Sequence, residues 1–459
     1  KLLGESEHYL DVHVGLDDTD TDLEGCTTYL TFRILSKILD EIPGAFFSDY
    51  PLLIRLNPVI PFKTRGNAAT SFSLRIPEKN VDSLKNLVVS EFLKYLEAVR
   101  GGGVEPGLAF LYGKVPAKLG KLYRKALTDY VHRDYVTGII NELSESVEAP
   151  LGYSRGLVGA LAAIGASNSL SECTYEILVY RTRDNYLRER CVDEESVKLM
   201  DSEFRDQTFL NYDYVNDKPL ITPSGHNPVL LGIRGEDPAI LVKALKTLKL
   251  CEEFEGWLIY RTNQGLNAHH VERGVEEFRP YQTGCVKGKV IEKPSVRLGG
   301  DVLLKLGDLE NKSSLWVVFF KETGLGKVAR YLVSGDVIRV CGGGKWWEDL
   351  GLVIHGDLLE VIELVSEVLK NPTCPLCGHR MKSAGRGKGW KCPACGYKSL
   401  TLGKEKVKTD RKIVAGTYRP ADSAVKHLVM PQSRVGRKGS CDKQLISEWI
   451  YVRRDGRSL

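Results

Sequence analysis

No stretch of the 459-residue chain holds about 18 consecutive apolar residues, which argues against a membrane-spanning helix. The opening string KLLGESEHYLDVHV lacks the basic head, apolar middle and small-residue cleavage site of a secretory signal. A soluble, cytoplasmic protein with no membrane partner is therefore expected. No GxxxxGK[ST] phosphate loop occurs, because Gly342-Gly343-Gly344-Lys345 has the residue types without the spacing, and no GxGxxG follows a strand. Nucleotide binding through either of those loops is excluded. Gly101-Gly102-Gly103 reads as a joint. His269-His270, placed on a strand, would point to opposite faces, so a shared ligand pair is not expected. Of Trp346-Trp347, one is expected in the core.

With 42% apolar residues and typical domains of roughly 100–200 residues, a chain of this length is expected to fold as three or four units. The net charge of +5 averages two unlike parts. Residues 372–459 carry 20 Lys+Arg against 6 Asp+Glu, a net +14, which leaves −9 for the residues before them. That division points to reaction chemistry in an acidic body and polyanion contact in a basic C-terminal quarter; a solvated basic tail is the plainer alternative. Four of the 11 cysteines fall at Cys374, Cys377, Cys392 and Cys395, and the others are scattered. The pattern is that of metal chemistry in a reducing compartment, not of a disulfide framework.

Residues 10–16 (LDVHVGL) alternate apolar and polar and end in a carboxylate cluster, as a strand delivering acids to its C-terminal end would. Residues 27–40 place Leu30, Phe32, Ile34, Leu35 and Ile38 mostly at helical spacing, with Thr27 or Thr28 available as a cap. Strands over 51–58 and 70–76 and a helix over 81–99 complete an α/β domain expected at 9–148. A helix over 154–164 precedes a strand at 174–181, a helix at 193–206, a strand at 228–234, a helix at 237–250 with Asp237 as cap and Pro238 behind it, and a strand at 256–262. This series predicts a ferredoxin-like α+β domain at 149–282. Short β-prone runs separated by Gly and Asp predict an OB-fold barrel at 283–365, a common nucleic-acid platform. A metal module follows at 372–398, then a basic region at 399–459 with no readable period, expected to contact the polyanion.

Cys374-Pro-Leu-Cys377 and Cys392-Pro-Ala-Cys395 are matching knuckles, each followed by a glycine. Two intervening residues let both thiolates of a tight turn meet one tetrahedral zinc, and four thiolates close its shell, so this zinc should hold structure and not activate water. Between the knuckles Arg380, Lys382, Arg386, Lys388 and Lys391 surround Trp390, a mixture suited to single-stranded RNA through phosphate contact and base stacking. Asp17-Asp18-Thr19-Asp20, with Asp22 close behind, repel one another unless a cation such as magnesium offsets the charge. Gly25-Cys26-Thr27-Thr28 at a helix start suits an anion, although acidic turns that merely cap helices are common. Lys63, Arg65, Gly66 and Asn67 form either a polyphosphate loop or a solvated basic turn.

The string VGLDDTDTDLEGCTTYL, then LIRLNPVIPFKTRGN, then YRTNQGLNAH, then the four-cysteine ribbon together resemble the archaeal isoleucine-tRNA 2-agmatinylcytidine synthetase (agmatidine synthetase) family over about residues 12–397. The resemblance implies a multidomain α/β and α+β protein: a kinase-like domain, a ferredoxin-like domain, an OB-fold and a zinc ribbon, in that order. It also implies an ATP-dependent ligase. The cytidine at the first anticodon position of the AUA-decoding isoleucine tRNA receives agmatine at carbon 2 of its base, and ATP becomes AMP and two phosphates. An amine cannot displace the 2-oxo oxygen unaided, whereas phosphorylation turns that oxygen into a leaving group. By the resemblance, Asp17, Asp18 and Asp20 hold magnesium and ATP, and Thr27 is a threonine the enzyme phosphorylates on itself. Thr19, Gly25, Thr28, Lys63, Arg65 and Asn67 are expected at the ATP phosphates. Residues 399–459 match no motif of the family. Two other readings compete: a ligase that adenylates the same base, against which the missing SGGxDS motif counts, and a nonenzymatic RNA-binding protein, against which the acidic body counts.

Overall fold

The alternating first segment forms strand β1 (Tyr9–Asp17), which buries Val12, Val14 and Leu16 completely and brings Asp17 out at its end. The structure, a computed structural model, describes residues 8–21, 24–63, 66–99, 102–408 and 410–454. Helix α1 (Thr27–Glu41) turns Leu30, Phe32, Ile34, Leu35 and Ile38 into the core, as the spacing predicts. Strands β2 (Leu52–Arg55) and β3 (Ala68–Pro77) and helix α2 (Val81–Ala98) follow. No element is expected over the next stretch, which forms strand β4 (Gly107–Tyr112), helices α3 (Ala117–Thr128) and α4 (Arg133–Glu142) and the short strand β5 (Val147–Glu148), although the buried Leu119, Leu122, Tyr123, Ala126 and Leu127 of α3 do fall at helical spacing.

Helix α5 (Leu157–Ala166), LVGALAAIGA, is expected to open the second domain but packs on α3, β1, β3 and β4 of the first. Its small residues are the reason. A Cβ built on Gly15 of β1 would lie 2.1 Å from the carbonyl oxygen of Ala160, so strand and helix approach more closely than ordinary side chains permit. Beyond it come strand β6 (Thr174–Arg181), helix α6 (Glu194–Phe204), strands β7 (Thr208–Phe209) and β8 (Val229–Gly235), helix α7 (Pro238–Thr247) and strand β9 (Phe254–Thr262). The predicted cap is present: Asp237 accepts a hydrogen bond from the Ala239 N–H at 2.9 Å, worth about 1 kcal/mol. All these strands form one sheet, ordered β5-β4-β1-β3-β2-β9-β6-β8-β7. The seam is the parallel pair β2–β9, with Leu52 opposite Arg261 and Leu53 opposite Thr262. The two expected domains therefore share a continuous sheet.

Strands β10 (Thr283–Val290), β11 (Val302–Gly307), β12 (Ser314–Phe319), β13 (Val337–Trp347) and β14 (Gly351–Glu363) form a ring ordered β10-β13-β14-β12-β11, closed by Lys289 opposite Gly307. Within it β12 and β14 run parallel. Val286, Leu304, Val317, Ile338 and Leu359 fill the interior. A small three-stranded sheet, β15 (Lys382–Ser383), β16 (Trp390–Lys391) and β17 (Lys398–Ser399), carries the knuckles.

The C-terminal segment folds back as a strap. Strand β18 (Gly416–Tyr418) adds to β14 of the ring and strand β19 (Ile450–Val452) adds to β9 of the large sheet. Many of its cations meet the acidic body: Arg411 with Asp336 at 2.6 Å, fully buried Arg434 with Glu236 at 2.6 Å and Glu172 at 3.0 Å, and Lys443 with Asp237 at 2.9 Å. Part of the charge division read from the sequence is thus spent inside the molecule.

The expectation of no disulfide framework is corrected. Cys173 bonds to Cys441, Cys191 to Cys251 and Cys285 to Cys341, while Cys26 stays a free thiol. Linear spacing hides such pairs; Cys285 and Cys341, for instance, meet because they face each other across β10 and β13. The first bond ties the strap to the sheet across 268 residues. Cys441→Ser is expected to lower the stability by about 2–5 kcal/mol in denaturant titration without reductant. An unchanged midpoint would mean that the added strands and ion pairs hold the strap without the bond. Among the described residues no helix is long and apolar enough to cross a membrane.

Candidate functional site

A cavity of about 620 Å³ is lined by both halves of the large sheet and by His427 from the strap. Asp17, Asp18 and Asp20, Cys26, Thr27 and Thr28, Lys63 and Asn67 all reach it, so the structure brings these predicted residues together. Asp22 and Arg65 lie outside the described residues.

The acids are held under electrostatic tension. Burial first, and then the charge of Asp18, push the Asp17 carboxyl well above the usual carboxylate range. Burial also raises Asp18, opposed by a hydrogen bond from the Glu105 N–H at 2.8 Å and by Arg155 at 3.8 Å. Asp18 sits at φ +55°, a left-handed conformation that costs most residues about 1–3 kcal/mol and that Asp and Asn tolerate best. Asp17 is pressed against α5: a Cβ on Gly159 would stand 1.9 Å from its Oδ2. The three carboxylates line one cavity, but their oxygens are not gathered within 4.8 Å of one another as the ribbon sulfurs are, so they form no ready-made cation cage.

Phosphate-binding features surround the acids. The first turns of α1 and α5 both face the cavity, through Cys26, Thr27 and Thr28 and through Gly156 and Val158, so two helix N-termini lend partial positive charge there. Gly25 enters the first of these turns at φ +103°, with Asp20 Cα 2.9 Å from where its Cβ would be. Neither threonine caps α1, contrary to expectation: Cys26 is the cap position and makes no side-chain cap bond. The Thr27 hydroxyl instead shares a buried hydrogen bond with the Thr19 hydroxyl at 2.9 Å, and the Thr28 hydroxyl lies 3.0 Å from the Cys26 sulfur.

The cavity is also lined by a polar chain that linear spacing does not reveal. Arg55 Nε donates to Gln264 Oε1 at 3.1 Å, Gln264 Nε2 to Glu176 Oε2 at 2.5 Å, and Arg234 Nε to Glu176 Oε1 at 3.1 Å. Burial lowers the Arg55 pKa to about 10, still well above neutrality, so the guanidinium keeps its charge. Burial, then the charges of Arg55, Arg234 and Lys63, hold His427 well below the usual histidine range and keep its imidazole neutral. Its Nδ1 is buried without a hydrogen-bond partner. Arg155 stacks over Phe62 at 4.7 Å from the ring centroid. Sequence reasoning misses Arg55, Arg155, Glu176, Arg234 and His427 because they come from separate elements. Asn67, at φ +45°, donates from Nδ2 to the Asn57 carbonyl at 2.7 Å and thereby shapes its own loop.

In the ribbon, Cys374 Sγ and Cys395 Sγ lie 3.6 Å apart, Cys377 Sγ and Cys392 Sγ 3.4 Å, and all four sulfurs cluster together. Those separations are close to the edges of a tetrahedron with Zn–S bonds of about 2.3 Å, so the donor set fits structural zinc. Lys382, Arg386, Lys388 and Lys391 are exposed. The other two residues expected at RNA have protein partners. Trp390 is half-buried against the ribbon's small core and donates Nε1–H to the Leu402 carbonyl at 2.7 Å, because so few apolar side chains are available there. Arg380 pairs with Glu405 at 2.9 Å. Trp346 is 64% exposed and Trp347 only half-buried at the edge of a small cluster, so neither is the core residue expected of that pair. The reading of His269-His270 is overturned: they lie in a turn, not a strand, and both reach Asp357.

Residues 13–83, 154–269 and 371–413 match the families described as TiaS TCKD domain, TiaS FLD domain and TiaS C-terminal zinc ribbon domain. The chain is 37% identical over 442 residues to the isoleucine-tRNA 2-agmatinylcytidine synthetase TiaS of Ignisphaera aggregans, covering 94% of this chain and 95% of the relative. It is 38% identical over 449 residues to that of Thermofilum pendens, covering 96% and 99%. Among solved structures, the complex of TiaS with its isoleucine tRNA and ATP superposes with a TM-score of 0.77 at 33% identity, covering 93% of this chain and 97% of that one. The complex of TiaS with the same tRNA, AMPCPP and agmatine gives 0.75 at 30% identity, covering 94% and 99%.

Proposed function

Because the chain belongs to the isoleucine-tRNA 2-agmatinylcytidine synthetase (TiaS) family, we propose that it uses ATP to phosphorylate the 2-oxo oxygen of the anticodon cytidine of the AUA-decoding isoleucine tRNA and replaces that oxygen with agmatine. The observation that carries this reading is the cavity in which half-buried carboxylates, two helix N-termini and half-buried arginines converge. Such a site holds a metal-bound polyphosphate at one end and leaves neutral and apolar surface for a base at the other.

Asp17, Asp18 and Asp20 would hold magnesium, which offsets phosphate charge during transfer. The N–H groups opening α1 and α5 orient the phosphates, with Thr19, Gly25 and Thr28 shaping the first of those turns. Arg55, Arg234, Lys63 and Arg155 supply fixed positive charge around them. Phe62 and Tyr130, whose rings lie 6.4 Å apart at the cavity, offer flat faces for a splayed base. Thr27, which lines the same cavity as the acids, is the position for self-phosphorylation. Arg65 belongs to the same phosphate loop by sequence.

The architecture supports the same reading. The order β9-β6-β8-β7 is the 4-1-3-2 order of a ferredoxin-like unit, and the closed ring with its parallel pair has the connectivity of an OB-fold. Barrel, ribbon and the exposed Lys382, Arg386, Lys388 and Lys391 would bind the tRNA, with Trp390 and Arg380 bracing the ribbon. The sheet half containing the acids would be the kinase-like unit.

The test is incubation of the full chain with ATP, magnesium, agmatine and unmodified isoleucine tRNA, followed by mass spectrometry of the anticodon nucleosides. The proposal expects agmatine on the cytidine only when ATP is present; ATP consumption with an unchanged nucleoside would overturn it. The ribbon gives a second expected outcome. Cys392→Ser should release zinc and weaken tRNA binding while ATP affinity stays near normal, because a closed thiolate site organises only its own module. Equal tRNA affinity with and without the zinc would remove the ribbon from the interface.

A further inference from the structure

The turn after β9 and the barrel strand β14 are joined by a buried cluster outside the cavity. His269 Nε2 lies 3.1 Å from one oxygen of Asp357, and His270 Nε2 lies 2.9 Å from the other. The two imidazole centroids are 4.2 Å apart, and the three side chains are only 1%, 6% and 7% exposed. Among the described residues, no lysine or arginine forms an ion pair with Asp357; its partners are the two imidazoles. A desolvated carboxylate without a fixed positive charge beside it is expensive to bury. The two contacts reach different oxygens of Asp357 at hydrogen-bond distance, but one ligand atom from each of the three side chains lies within 4.8 Å of the others, so all three can be offered to one ion.

We propose that His269, His270 and Asp357 form a second metal site, taking a divalent ion of the zinc class. Two imidazoles and one carboxylate suit such an ion and leave its fourth position for a non-protein ligand such as water. Because the histidines follow strand β9 of the large sheet and Asp357 belongs to the barrel, the ion pins the barrel at a fixed angle to the cavity. His270 also neighbours Cys285 and Cys341, but their sulfurs are bonded to each other and are not part of the ligand set. The plainer arrangement, one carboxylate accepting hydrogen bonds from both imidazoles, has the same geometry without an ion. Metal content separates the two.

The full-length chain, loaded with zinc and freed of loosely bound ions, should carry two zinc ions by elemental analysis. A variant with Cys374, Cys377, Cys392 and Cys395 all changed to Ser should carry one, and Asp357→Asn in that background none. Circular dichroism checks that each variant is folded, and His270→Gln serves if the asparagine variant is not. Cobalt in the four-serine variant should show an imidazole and carboxylate spectrum without thiolate charge transfer. One zinc per wild-type chain, retention of the ion by folded Asp357→Asn, or a thiolate band in the four-serine variant would each overturn the assignment.

Discussion

Asp18→Asn is expected to reduce ATP turnover by at least about 100-fold, the scale on which a single charge-stabilising group acts at a reacting phosphate, while tRNA binding and the denaturation midpoint stay close to wild type. The substitution removes one negative charge from the cluster and little else. Asn tolerates the left-handed backbone at φ +55° as well as Asp does, and its side-chain oxygen can still accept the Glu105 N–H. The fold therefore has no reason to change. The competing role for Asp18 is structural, as partner to Arg155 and Glu105. On that account turnover persists and stability falls by about 1–3 kcal/mol. Measuring turnover and the midpoint on the same preparation distinguishes the two.

Gly159→Ala is the second large effect, and two opposing magnitudes decide its sign. Alanine in a helix interior gains about 0.5–1 kcal/mol over glycine. Here the new methyl would stand 1.9 Å from Asp17 Oδ2, and forcing bulk into a packed contact costs about 1–3 kcal/mol. Overpacking wins, and the carboxylate or the helix must move. Since a misplacement of about 1 Å at a reacting centre lowers rates on the order of 100-fold, ATP turnover should drop by about that factor, together with a lower denaturation midpoint. A variant as active as wild type and more stable would show that Asp17 has room to spare and that its contact with α5 does not set its position.

What could be read from the sequence was whatever repeats locally. Period-two burial in β1, helical spacing in α1, the Asp237-Pro238 helix start and the paired knuckles all belong to short windows. The carboxylates and Thr27 were found the same way, and the structure places them on one cavity. The rest is long-range. Joining β2 to β9 brings together residues about 200 positions apart, as Arg55 and Asn263 show with hydrogen bonds in both directions. Arg155, Arg234 and His427 complete the cavity from a loop, a strand and the strap, so no linear motif contains them. The strap defeated periodicity for a related reason. Its order comes from adding strands to existing edges and from ion pairs with an acidic body, not from an apolar face of its own. The same complementarity shows why a positive tail need not be free for RNA. The disulfides join cysteines 56 to 268 residues apart, so no short window contains them.

Which phosphorus atom meets the cytidine decides the reaction most directly. Unmodified isoleucine tRNA carrying oxygen-18 at carbon 2 of the anticodon cytidine should be converted with ATP and agmatine, and the small phosphorus products analysed by mass spectrometry. Phosphorylation of the 2-oxo oxygen, followed by displacement by the amine, sends the label into inorganic phosphate. Label recovered in AMP would mean that the base is adenylated instead, and would contradict the reaction assigned to this cavity.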